Sequence, residues 1–314
     1  MKKLKRLISI AVSVALLLII YSKIDFQGLL SVFANADGLW MVISLGMVVP
    51  ITLCTSWRLQ QLMPSGATLG FLEANRLILA ASTLNMVLPS KMGDIAKAYF
   101  MRERGHLSGT LSLSLVVFEK TCDMLSLLLW CIFGLVLYPQ KDSLFWLMTV
   151  GVGGGLVLGL LMLGSRRFAA LFFSTVQGVV PKSFKVKIKN LQLSWDEMHR
   201  YFWSDKRQLL TISITSIFIW FLHLLQIWFF ILALKAWVPF VVNLALSPLS
   251  ILAGLLPLTF AGVGTRDAAL ILFYQPYFDA TTGAALGLLC TSRYFLPAVG
   301  GLPFLGQFLS AMRK

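Results

Sequence analysis

The sequence predicts an all-α, polytopic integral membrane protein, and three observations carry that prediction. Of 314 residues, 58% are hydrophobic and only 13% charged, against roughly a quarter charged in soluble proteins. Apolar runs of about twenty residues recur, the length a helix needs to cross a hydrocarbon layer of about 30 Å. The lysines and arginines behind the net charge of +14 fall in short clusters between those runs. They form no single basic stripe, so the charge reads as membrane topology and not as a nucleic-acid surface. Cys54, Cys122, Cys131 and Cys290 lie in or beside apolar runs with no C-x-x-C pair, so neither a disulfide framework nor a zinc site is expected.

Six spans are expected, near residues 7–21, 39–58, 108–137, 144–164, 208–234 and 283–310. The first is short. With Lys2, Lys3, Lys5 and Arg6 before it and Ala34-Asn35-Ala36 after it, it has a second reading as a cleaved signal peptide, but the A-x-A lies too far beyond the apolar run for the usual cleavage site. Placed with the N-terminus inside, loops 1–6, 59–107, 165–207 and the C-terminus hold nearly all the basic loop residues. The opposing loops 22–38, 138–143 and 235–282 contain only Lys23, Lys141, Lys235 and Arg266. That asymmetry puts both termini in the cytoplasm of a cell whose inner membrane holds the chain. Tryptophans agree: Trp40 and Trp57 are separated by about 25 Å of helix, and Trp130, Trp146, Trp203 and Trp237 fall near other span ends, where indoles favour the boundary with water.

Between the fourth and fifth spans, segment 182–203 places Phe184, Ile188, Leu191, Trp195, Met198 and Phe202 on one helical face, with Lys182, Lys185, Lys187 and Lys189 close by. This predicts a cytoplasmic amphipathic helix, either a basic interfacial element drawn to anionic lipid or a linker held by its aromatics. Its opening Phe-Lys-Val-Lys-Ile-Lys also alternates like a strand. In the fourth span Gly151, Gly155 and Gly159 form a small-residue face, suited to close helix packing or to a homodimer.

Two segments are neither full spans nor soluble loops. Segment 70–104 carries an apolar half-helix into Asn85-Met86-Val87-Leu88-Pro89-Ser90-Lys91-Met92-Gly93-Asp94 and then a second short helix. Segment 243–275 does the same through Leu255-Leu256-Pro257 and Gly262-Val263-Gly264-Thr265-Arg266-Asp267. Re-entrant hairpins, one in each half of a single 1–314 membrane domain, account for both. Paired interruptions of this kind point to an inverted-repeat-like arrangement around a central substrate site. Half-helices starting after Pro89 and Gly264 would offer N–H groups and a positive dipole end, with Lys91 and Arg266 adding full charge, a set suited to phosphate. Asp94 and Asp267 fit either capping or pairing with the neighbouring base.

The third span carries Glu119, Lys120 and Asp123, charges that cost about 2.5–3.5 kcal/mol each if left alone at the bilayer centre. Glu119 and Asp123 share a helix face, and Arg293 of the sixth span and Arg76 are the expected partners. A structural ion pair and a ligand site are both open for them.

At these residues the sequence resembles the transmembrane domain of bacterial lysylphosphatidylglycerol synthases and the wider family of flippase-like membrane proteins that share it. The family's N-x-x-x-P-x-x-x-G-E-like stretch corresponds to Asn85 through Asp94, its E-R-x-x-D to Glu119-Lys120-Thr121-Cys122-Asp123, and its late P-x-x-x-G-G-x-G-x-R-E-like stretch to Pro257 through Asp267. Aspartates stand where the family has glutamates, Lys120 replaces an arginine, and Ala261 replaces the first glycine of the late pair. The resemblance implies lipid translocation or handling. With no aminoacyl-transfer domain in a sequence ending at Lys314, lysyl transfer is not expected.

The expected function is therefore movement of an anionic phospholipid or a polyprenyl-phosphate-linked lipid between leaflets, with Asn85, Lys91, Asp94, Glu119, Lys120, Asp123, Arg266, Asp267 and Arg293 as substrate-binding residues. The alternative is a non-transporting subunit presenting lipid to a glycosyl- or aminoacyl-transferase partner. No enzyme, cofactor or metal is expected: His106, His199 and His223 lack metal-ligand spacing, there is no G-x-S-x-G, and residues 262–267 lack the third glycine and preceding strand of a dinucleotide loop.

Overall fold

The computed structural model describes residues 26–64, 67, 69–87, 92–105, 107–138, 141–256 and 264–312, a few of them by backbone alone. Among these residues every regular element is a helix. In chain order they are α1 (Phe26–Ala34), α2 (Gly38–Gly46), α3 (Val48–Leu62), α4 (Phe71–Val87), α5 (Met92–Gly105), α6 (Gly109–Leu137), α7 (Ser143–Gly164), α8 (Arg166–Val179), α9 (Lys182–Ser204), α10 (Lys206–Ala233), α11 (Phe240–Leu255), α12 (Thr265–Tyr274), α13 (Ala280–Ser292) and α14 (Phe295–Met312).

Among the described residues, five stretches are long and apolar enough to cross a membrane: Gly38–Leu62, Gly109–Leu137, Ser143–Gly164, Lys206–Ala233 and Ala280–Gly306. They match the second to sixth predicted spans to within a few residues. The first predicted span and its signal-peptide alternative lie outside the described residues. The second span is nearly continuous through α2 and α3, and Asp37 starts it by accepting the Trp40 N–H at 3.1 Å, as an N-cap does.

The two interrupted segments fold as helical hairpins. α4 packs on α5 and α11 on α12, and their lengths of 17, 14, 16 and 10 residues correspond to roughly 15–26 Å, short of a full crossing. In the first hairpin the Asn85 carboxamide oxygen accepts the Gly93 N–H at 2.9 Å, and Gly93 lies against the Ala81 carbonyl oxygen, where a side chain has no room. In the second, nine consecutive residues, Asn243–Ile251, are buried. That stretch is buried on every face and so is enclosed by protein.

The chain divides into two compact units. One comprises residues up to Val49, Leu127–Val152 and Phe221–Tyr294, and includes the α11–α12 hairpin. Its polar interior joins α10, α11 and α12: Asn243 Nδ2 donates to the Leu224 carbonyl at 2.9 Å, and its Oδ1 accepts from Ser247 and from Tyr274, each at 2.9 Å. Gly134 of α6 lets the Ala245 carbonyl approach.

The other unit comprises Pro50–Ser126, Gly153–Trp220 and the residues from Phe295 onward, and includes the α4–α5 hairpin. Its core gathers Phe100, Leu115, Phe118, Trp195, Met198 and Phe202, with the Phe118 and Phe202 rings stacked at 3.7 Å. α14 lies close on α4, since Gly301 admits the Leu79 carbonyl and Thr83 Oγ1 donates to the Ala298 carbonyl at 2.6 Å.

Two sequence expectations are refined here. Segment 182–203 is helical from its first residues, but its apolar face is shared: Trp195, Met198 and Phe202 are buried in the protein core, whereas Phe184 and Leu191 are exposed. The second half of α9 is thus a docked helix. In α7, Gly159 receives Leu125 closely while a side chain at Gly151 would meet open space, so the small-residue face packs at one end only.

Candidate functional site

Charges inside an apolar helix bundle need partners, because neither water nor a polar loop is at hand to solvate them. In the unit that holds α4 and α5, three cations and three carboxylates meet. Arg58 of α3 is at the centre. Its Nη2 donates to Glu119 Oε1 at 2.8 Å and to Asp123 Oδ2 at 3.3 Å, while its Nη1 donates to Asp123 Oδ1 and to Ser216 Oγ at 2.8 Å. Glu119 and Asp123, one turn apart on α6, therefore share a single guanidinium. The i, i+4 spacing visible in the sequence is what brings both carboxylates to it.

The second Glu119 oxygen is taken by Lys97 of α5. Lys97 also lies 3.9 Å from Asp94 Oδ1, and Lys120 Nζ stands 3.3 Å from Asp94 Oδ1 and 3.8 Å from Asp123 Oδ2. Among the described residues the cluster is formally neutral, and its two sides differ in access. Arg58, Lys97 and Glu119 are at most 2% exposed, whereas Asp94 is 15%, Asp123 22% and Lys120 47% exposed. The inner pairs join α3, α5 and α6, and the outer pairs are the more exposed ones.

This corrects the partners read from the sequence. Glu119 pairs with Arg58 and Lys97, and Asp123 with Arg58 and Lys120, in place of the expected Arg293 and Arg76; the Arg76 guanidinium lies 5.7 Å from the Phe304 ring centroid. Arg58, Lys97 and Ser216 were missed as site residues. Arg58 carried a usable signal, since it falls inside the predicted 39–58 span, where an ionisable residue marks a site by default. Lys97 carried a weaker one, at i+3 from Asp94 on the same helix. Asn85 is engaged in closing its hairpin through Gly93. Lys91 lies outside the described residues.

The other unit has its own ionic group. Arg266 Nε and Nη2 donate to Asp267 Oδ1 at 3.0 and 2.7 Å, and Nη2 reaches Thr291 Oγ1 at 2.6 Å and the Gly287 carbonyl at 3.0 Å. Nη1 points to the Cys290 carbonyl at 3.4 Å. The second Asp267 oxygen accepts the Gly264 N–H at 3.1 Å, and Gly264 turns into α12 at φ 99°, a conformation favouring glycine. Arg266 thus ties the start of α12 to the end of α13. Arg293, which follows α13, donates through Nη2 to Tyr294 Oη at 3.1 Å. No group of His, Cys, Asp and Glu among the described residues has the arrangement of a metal site.

Among the described residues, an all-helical fold with five stretches long and apolar enough to cross a membrane, two pairs of shorter helices and buried ionic groups is that of a multi-pass membrane protein. The family profile described as lysylphosphatidylglycerol synthase TM region matches residues 6–301, nearly the whole chain. The chain belongs to that family. Comparison with curated protein sequences returns no match.

Proposed function

We propose that this protein handles membrane lipid, moving an anionic phospholipid or a polyprenyl-phosphate-linked lipid between the leaflets of a bacterial inner membrane, with both termini on the cytoplasmic side. The observation that carries this reading is the neutral six-charge cluster. A purely structural ion pair is best closed on all sides, but here Lys120, Asp94 and Asp123 are accessible while Arg58, Lys97 and Glu119 hold the frame. A headgroup phosphate entering the outer half can take over Lys120 while Asp123 keeps Arg58 and Asp94 stays near Lys97. Membership in a family named for a membrane region supports the setting.

The test is a proteoliposome assay with a headgroup-labelled anionic lipid and an impermeant quencher. The wild type is expected to expose inner-leaflet lipid faster than empty vesicles, and Lys120→Gln and Asp123→Asn to slow it. Wild-type vesicles indistinguishable from empty ones would overturn translocation.

A second reading is favoured by the family's description as the membrane region of a synthase: the same site presents lipid to a transferase without moving it across. Binding of a glycosyl- or aminoacyl-transferase to the purified protein, together with no lipid movement, would select it.

A further inference from the structure

In the unit that holds α11 and α12 the buried charges of the described residues do not balance. Its buried ionic side chains among the described residues are Arg266, Asp267 and Arg293, and Asp267 is engaged by Arg266 and by the Gly264 N–H. Arg293 is 4% exposed. Its Nη2 donates to Tyr294 Oη, but Nε and Nη1 are buried and meet no acceptor among the described residues. A guanidinium cannot discharge itself by losing a proton, and a buried cation with idle donors is strongly disfavoured.

Two sources within the protein fall short of supplying the counter-charge. The carbonyl end of α13, which Arg293 caps, offers about half an elementary charge, and Arg266 already takes the Gly287 and Cys290 carbonyls there. The segment joining α11 to α12, residues 257–263, contains no ionisable side chain in the sequence. Tyr294 is neutral and its ring lies beside the guanidinium, 5.0 Å from Arg293 Cζ to the ring centroid.

We infer that Arg293 is the seat of a phosphate-type oxyanion, held by Nε and Nη1, with the half-exposed Tyr294 ring as its cover. The assignment rests on the lipid-handling reading and deepens it. It places the phosphate on Arg293, whose donors are idle, and assigns Arg266, whose donors are occupied, to holding the end of α13 in position. The shared chemistry is that of phosphate, whether on a lipid headgroup or free in solution.

The experiment is thermal unfolding of the purified full-length protein in a non-ionic detergent, titrated separately with phosphatidylglycerol, diacylglycerol and inorganic phosphate. Phosphatidylglycerol is expected to stabilise the wild type and diacylglycerol to have no effect. Arg293→Gln is expected to weaken the phosphatidylglycerol effect by at least about tenfold in concentration, the loss that goes with removing charge-assisted hydrogen bonds. Should Arg293→Gln fail to fold, Arg293→Lys keeps the charge without the planar donors and is expected to bind more weakly than the wild type. Stabilisation by inorganic phosphate that equals the lipid and depends on Arg293 would identify free phosphate as the ligand of the same site. Unchanged phosphatidylglycerol binding in Arg293→Gln or Arg293→Lys, or equal stabilisation by diacylglycerol, would overturn the site. A wild type that binds through Arg293 yet moves no lipid overturns translocation alone, and lipid movement undiminished in Arg293→Gln overturns the site alone.

Discussion

Lys97 of α5 and Glu119 of α6 form an ion pair that the fold encloses almost completely, and the second Glu119 oxygen is held by Arg58 of α3. One carboxylate therefore joins three helices. Lys97→Met is expected to destabilise the protein by about 3–5 kcal/mol, because it leaves Glu119 with one of its two cations in a site that water does not reach. Adding Glu119→Gln removes the surplus charge and should recover much of the loss. Unfolding of both variants in detergent decides it: a double variant no more stable than the single would show that the ion pair is not the cause.

Lys120 belongs to the same cluster and should behave differently. It is nearly half-exposed, with contacts of 3.3 and 3.8 Å, and pairs of that kind contribute under about 1 kcal/mol. Lys120→Ala is expected to leave the melting temperature nearly unchanged and to reduce lipid movement in proteoliposomes. A large loss of stability with normal movement would reverse that assignment.

Two glycines are required for different reasons. A Cβ at Gly93 would fall on the Ala81 carbonyl oxygen and within 2.8 Å of Asn85 Oδ1, so Gly93→Ala must part α4 from α5 and should cost about 1–3 kcal/mol, as overpacking does. Gly264 has a φ of 99°, so Gly264→Ala brings backbone strain of about 1–3 kcal/mol. In the Asn85→Ala background the Gly93→Ala penalty should fall only in part, since the backbone clash with Ala81 persists; thermal unfolding of the single and double variants checks it, and full recovery would show that Asn85 alone was the obstacle.

His199, on the docked half of α9, predicts a pH dependence. Burial, with Arg166 nearby, pushes its imidazole below the ordinary value, which is about 6.5 in an unfolded chain. The unfolded state thus takes up this proton first as pH falls. Stability that His199 contributes is complete above about pH 6.5 and is lost as pH drops through the lowered folded value. Melting temperatures between pH 7.5 and 5.5 should fall, and His199→Phe, which keeps a ring against Trp203, should flatten that slope; an identical slope in the variant would remove His199 as its source.

The architecture was legible because the bilayer constrains it so tightly. Apolar length alone located the spans, and the interruptions at Pro89 and Gly264 located hairpins whose arms are too short to cross. The site was legible in part. Glu119, Lys120, Asp123 and Asp94 stood out as charges in or beside apolar runs, and they do meet one another. Their central partner, Arg58, was visible as a charge inside a predicted span but was read only as its end, next to Trp57. Lys97 gave little signal, since a lysine beyond a hairpin turn looks like one more cytoplasmic base.

By itself the sequence determined the class of this protein, the extent of its spans and the presence of charges that hydrocarbon cannot tolerate, because each follows from composition along one dimension. Only the tertiary structure decided which charges neutralise one another: that Arg58 serves both carboxylates of α6, that Arg266 is occupied at the end of α13, and that Arg293 retains idle donors. The reason is physical. Pairing of buried charges depends on distances between helices far apart in the chain, and at membrane depth a contact of about 3 Å separates a neutral group from a cation that demands a ligand.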